Sequence, residues 1–246
     1  MSKRSDIIDP SDAPVKASGL VYSEVIGWID LGHARGDDIR AVLHQMQVGE
    51  RSNEPYYRVV YTQTMRKTKG LKGLDTSGVC VGQAVIWLIK KGRPLHQRHR
   101  IALAMMMKVA PVFEGMQKKW YGWATDSGFS AEDLVSNLLG FYRAVRPKNY
   151  FPELKLVSRA KAIERWNHYG SLGKYKNKLF KPLLFPDPAA HKDAKPRYGE
   201  LPSFMKEIEP FDVSLHTDII ITNHKFSKRD FPNGLGGEFG CVEKRL

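Results

Sequence analysis

Three short stretches of this 246-residue chain set acids and an imidazole among apolar neighbours. The first is WIDLGHAR, residues 28–35, in which Asp30 precedes His33 and Arg35. A carboxylate that holds an imidazole in one tautomer supports general-base work or metal ligation. The same residues also suit a packed corner, with Asp30 capping a turn and His33 bonded to backbone. The second stretch is KVAPVFEGMQKKWYGW, where Glu114 sits among Val, Phe, Met and Trp. Desolvation there would raise its pKa and fit it for general-acid catalysis, as in glycosidases that present a lone acid at the end of an apolar helix. On the polar face, the same residue would instead pair with Lys118 one turn on. The third is GFSAEDLVSNLLG, with Glu132 and Asp133. Acids in a first helical turn favour the macrodipole and cap free N–H groups. Asp133, three residues after Ser130, completes a capping box, which leaves Glu132 freer for another role.

The other chemistry-bearing residues form weaker patterns. His96 and His99 fall in PLHQRHR and would share one helical face, where Arg98 and Arg100 make a basic patch the simpler reading than a metal site. His216, Asp218 and His224 flank DIIIT, and an H-x-D before a strand is compatible with zinc. Cys80 and Cys241 are the two cysteines, too few for a metal pattern or a disulfide framework. A phosphate-binding Gly-rich loop, paired CxxC, HExxH and GxSxG are all missing from the sequence, which removes the common nucleotide-dependent and serine-hydrolase classes.

The elements that must position these residues follow from periodicity and breakers. LVYSEVIGWIDLGHAR predicts a strand or extended segment entering a turn, and GDDIRAVLHQM a helix with Ile39, Val42, Leu43 and Met46 on its apolar side. YYRVVYTQTMR is the clearest strand, and KTKGLKGLDTSG reads as a hairpin loop or lid. VCVGQAVIWLIKKG is ambiguous by period, with Gln83 to Lys91 favouring a helix ended by Gly92. The pattern from Pro94 to Trp123 is helical, with Pro111 expected to kink or divide it. SGFSAEDLVSNLLGFYRAV and LVSRAKAIERWNHYG are amphipathic helices. The expected fold is therefore α+β and mainly α. It comprises a tail over 1–18, one helical domain over 19–170 with a small antiparallel β element, and an irregular C-terminal wrap over 171–246.

The net charge is +13 and the pI about 9.7, which favours anionic partners. The excess is concentrated mid-chain: residues 51–100 carry eleven Lys or Arg against two acids, and 151–200 eleven against five. Nucleic acid, anionic lipid and the acidic bacterial cell wall all satisfy that charge. Basic residues interleaved with aromatics in YYRVVYTQTMRKTKGLKG and YGSLGKYKNKLFK would track a polyanion. No run approaches the roughly 20 apolar residues of a membrane-spanning helix. The first residues carry no apolar signal core, so the expectation is cytoplasmic synthesis with any export by a signal-independent route.

GWIDLGHAR and GFSAEDLVSNLLG together resemble the paired landmarks of an uncharacterised bacterial family, a domain of unknown function with IDLGH-R and FS-EDL-SNLLG segments. The resemblance spans about residues 19–145. Between its landmarks the family carries a Trp-His-Glu stretch followed by a tryptophan. In this chain Glu114 matches the glutamate and Phe113 replaces the histidine. The resemblance implies that Asp30, His33, Glu114, Glu132 and Asp133 converge on one place, and it imports no activity.

The leading functional expectation is a hydrolase acting on bacterial peptidoglycan, of glycosidase or amidase type. Glu114 would be the general acid, Glu132 or Asp133 would orient water or a metal, and His33, held by Asp30, would be base or ligand. Arg35, Trp120 and Asp133 are the candidates for substrate contact. This reading requires no cofactor, although His with acids could equally hold divalent zinc or magnesium. A basic wall hydrolase exported without a signal fits an antibacterial effector, a toxin with a cognate immunity protein as partner. The alternative is a basic protein that binds or cleaves nucleic acid.

Overall fold

The computed structural model describes residues 2–66, 80–121, 130–190 and 193–227, with side chains described outside 63–66, 80–84, 110–121 and 222–227. Five α-helices and seven strands in two sheets are found among the described residues. The chain is thus a mixed α/β fold, which corrects the expectation of a mainly helical domain with a small β element. None of the described helices is long and apolar enough to cross a membrane. Backbone contacts divide the chain into two compact units, Met1–Asp37 with Glu114–Glu209, and Asp38–Phe113 with Pro210–Leu246.

The first unit is built on strands β1 (Leu20–Ser23) and β2 (Gly27–Asp30), which form an antiparallel hairpin in the register Leu20↔Asp30 to Ser23↔Gly27. Ser23 closes the turn: its hydroxyl donates to the Leu154 carbonyl at 2.5 Å and accepts the Val25 and Ile26 N–H groups. Two-residue strands β5 (Leu183–Leu184) and β6 (Arg197–Tyr198) extend the sheet in the order β1-β2-β5-β6. Gly27, at φ +77°, lies so close to the Leu183 carbonyl that a Cβ would come within 2.2 Å of its oxygen. All of β1 is buried, Val21 as much as Leu20 and Tyr22, so neither face shows polar alternation. Ile7, Leu20, Tyr22, Trp28, Tyr169 and Phe185 belong to one apolar cluster.

Helix α3 (Asp133–Val145) in this unit is buried at every position from Asp133 to Tyr142. Helix α4 (Phe151–Leu154) is a single turn, and α5 (Arg159–Tyr169) starts at Ser158, whose hydroxyl accepts the Lys161 N–H. On α5, Arg165 is 1% exposed. Its guanidinium donates to the Phe185 and Lys161 carbonyls and to Glu24, and lies 4.6 Å from the centre of the Tyr22 ring. The buried charge is therefore paired, with each of its three nitrogens hydrogen-bonded, the condition under which a buried cation is tolerated.

In the second unit, α1 (Asp37–Glu50) precedes the meander of β3 (Tyr56–Arg66), β4 (Cys80–Lys90) and β7 (Ile219–Ser227), all antiparallel in the order β3-β4-β7. β4 is the strand over the segment expected to be helical. Val85, Trp87 and Ile89 are buried while Ile86 and Leu88 are half-buried, so its apolar run is a two-sided strand. β7 forms over the DIIIT segment, where a strand is expected, and pairs with β4. Gln45 of α1 stands in for a strand neighbour, its amide accepting the Val60 N–H at 2.8 Å and donating to the Val60 carbonyl at 2.9 Å. Helix α2 (Leu95–Tyr121) runs through Pro111 as one element rather than two. The loop expected over residues 67–79 lies outside the described residues.

The closest backbone approach near the candidate residues joins α3 to the corner after β2. Gly36 has φ +73°, and a Cβ there would sit 2.1 Å from the Gly140 carbonyl oxygen. A Cβ on Gly140 would meet the His33 carbonyl oxygen at 2.7 Å. Alanine is the better helix former by about 1 kcal/mol, but backbone overpacking costs about 1–3 kcal/mol. Gly140→Ala is expected to lower unfolding stability in urea titration, whereas an equal or higher midpoint would show that the corner yields.

Candidate functional site

The start of α3 and the corner after β2 bring four of the sequence candidates together. The Asp30 N–H donates to Ser136 Oγ at 3.0 Å, which ties the end of β2 to α3. Asp30 Oδ1 accepts the Gly32 N–H at 2.7 Å and the His33 N–H at 3.4 Å, so this carboxylate shapes the turn that carries the imidazole. His33 lies half-buried in a short 3-10 turn, His33–Arg35, with Nδ1 3.3 Å from Asn137 Oδ1. An amide oxygen only accepts, so the contact is a hydrogen bond in the tautomer that protonates Nδ1, and in that tautomer Nε2 is the basic nitrogen. Arg143 closes the corner by donating to the Ala34 carbonyl at 2.8 Å.

Glu132 and Asp133 occupy adjacent positions with different surroundings. Asp133 Oδ2 accepts the Ser130 N–H at 2.9 Å, the reciprocal half of the expected capping box. Glu132, immediately before α3, is 1% exposed. Its Oε1 accepts the Ser2 hydroxyl at 2.6 Å, and its Oε2 has no hydrogen-bond partner among the described residues. Asn137 Nδ2 is likewise buried without a partner. Burial pushes the Glu132 carboxyl up to about 8, and the Asp133 and Asp30 carboxylates add to the rise. A carboxyl in that range is protonated at neutral pH and able to donate.

The remaining candidates are placed apart or not described. Arg35 is exposed and its Nε pairs with Asp37 at 2.6 Å. The Glu114 and Trp120 side chains lie outside the described residues, although their backbone belongs to α2. His96 is exposed at the start of α2, and His216 Nδ1 lies 4.0 Å from Asp218, whose carboxylate pairs with Arg93. The His224 and Cys80 side chains and Cys241 lie outside the described residues. Among the described residues no group of three or more His, Cys, Asp or Glu side chains is placed to hold a metal ion. In YGSLGKYKNKLFK the rings of Tyr169 and Tyr175 pack edge-on against Phe185 and serve the core. Sequence reasoning missed Ser2, Ser136 and Asn137. The last two stand four residues after Glu132 and Asp133, the helical step that places them beneath the acids.

No protein-family model, curated protein or solved structure matches the chain.

The sign of the pH effect is fixed by the raised carboxyl. In the unfolded chain Glu132 ionises near its ordinary 4.5, and in the fold near 8. Its contribution is therefore complete below the lower value and is lost as pH rises through the upper one. Glu132→Gln removes the titration. The stability difference, wild type minus variant, is expected to fall progressively between those pH values in urea unfolding. Parallel curves for the two proteins would contradict a neutral buried Glu132.

Proposed function

We propose that the chain is a hydrolase of bacterial peptidoglycan in which Glu132 is the general acid and His33 the general base. The observation supporting this reading is the Glu132 carboxyl itself, almost fully buried, pushed towards its neutral form by burial, with one oxygen unpartnered among the described residues. Glu132 takes the acid role in this reading because its surroundings are described, whereas the Glu114 side chain lies outside the described residues. In this reading His33 supplies the complementary group, in the tautomer that turns a protonated Nδ1 to Asn137 and leaves Nε2 basic.

In the proposed reaction, His33 Nε2 takes a proton from water as the water oxygen adds to the reacting carbon. The scissile C–O or C–N bond breaks, and Glu132 gives its proton to the departing oxygen or nitrogen. His33 then returns its proton to Glu132 through solvent, so that one water is consumed for each bond cleaved. Ser136 and Asn137 are positioning residues, because they act through Asp30 and His33. The +13 charge supports an anionic polymer as substrate, and the bacterial wall is such a polymer. An antibacterial effector delivered to a rival's periplasm would use this chemistry, and its producer would need an immunity protein.

Incubation of the pure protein with purified sacculi is expected to release soluble fragments. Reducing sugar ends would identify a glycosidase, and new amino groups an amidase. Glu132→Gln is expected to slow release by about 10²–10⁴-fold, the usual worth of a general acid. Intact sacculi alongside cleaved nucleic acid would overturn the substrate assignment. Wild-type turnover by the Gln variant would overturn the role of Glu132.

A further inference from the structure

We propose that residues 2–6 form a displaceable plug over Glu132, with the Ser2 hydroxyl occupying the position that a substrate polar group takes during turnover. This inference rests on the reading of Glu132 as the reacting acid. Ser2 comes from 130 residues away in sequence to place its hydroxyl 2.6 Å from Glu132 Oε1. A carboxyl that must give its proton to a substrate cannot do so while sealed, so something covering it has to move.

The segment's own contacts say which part moves. Ile7 is 1% exposed in the apolar cluster, pairs with Leu20, and its carbonyl accepts Arg159 Nε at 2.8 Å. That residue anchors the segment to the fold. Lys3, Arg4, Ser5 and Asp6 are all exposed and form a single 3-10 turn, closed by the Asp6 carboxylate accepting the Lys3 N–H at 2.7 Å. Beyond Ser2, the hydrogen bond from Arg4 Nε to Asn167 Oδ1, 2.8 Å, ties the turn to α5. Each of these hydrogen bonds trades against bonds to water and contributes little, whereas pulling Ile7 from the core would expose its whole buried side chain. Local opening ahead of Ile7 is therefore the cheaper motion, hinged at a residue that stays in place.

The test labels buried carboxyls with a carbodiimide and reads Glu132 by peptide mass spectrometry, beside sacculus turnover. It compares the full chain, a chain lacking residues 2–6, and Ser2→Ala. Deletion is expected to speed Glu132 labelling about tenfold, the shift that follows from removing two such hydrogen bonds. Exposed Glu54 should react at one rate in all three proteins, which checks the fold. Ser2→Ala leaves the backbone intact and should give a smaller rise in the same direction. Faster labelling with faster turnover supports plug and hydrolase together. Faster labelling with no turnover in any form supports the plug and removes the hydrolase reading. Unchanged Glu132 labelling in both variants overturns the plug whatever the turnover.

Discussion

Keeping the Glu132 carboxyl out of water constrains everything packed around the start of α3. A buried acid is tolerated when it is neutral, and neutrality here follows from lost hydration together with two neighbouring carboxylates. Those neighbours are themselves fixed by backbone N–H groups, Asp133 by Ser130 and Asp30 by Gly32 and His33. The acids therefore cannot swing away to relieve one another. A helix buried along ten consecutive residues, with Gly140 against Gly36, leaves little room for adjustment at the other end.

The same corner explains why two distant sequence stretches share a density of polar residues. Asp30 shapes the turn, Ser136 anchors the end of β2, and Asn137 meets the His33 ring. The bonds at Ser136 and Asn137 satisfy partly buried polar groups that burial would otherwise penalise, which is the structural half of their role. Two atoms escape that accounting, Glu132 Oε2 and Asn137 Nδ2. Unmatched buried groups are costly, and these two lie five residues apart at the start of α3, beside the Asp30 and His33 turn.

Much of the local structure was legible in the sequence. The strand over 56–66 and the helices at α1, α3 and α5 carry strong periodicity and recognisable starts, and they form where those signals lie. β4 was misread because its apolar run from Ala84 to Ile89 fits either period, and its pairing with β3 and β7 decides the matter. β5 and β6 are two residues each and exist through long-range partners, so no local pattern announces them. Residue types alone marked Asp30, His33, Glu132 and Asp133. Ser2, Ser136 and Asn137 matter only once the segment, helix and turn meet, and a serine or asparagine carries no such signal before that.

The central claim is that Glu132 is a neutral acid at physiological pH. The most direct measurement is the protonation of that carboxyl, followed by infrared difference spectra of wild type against Glu132→Gln in protein carrying ¹³C-labelled glutamate. The account predicts a protonated carboxyl band present at neutral pH and disappearing near pH 8. A band already lost near the ordinary value of 4.5 would contradict it.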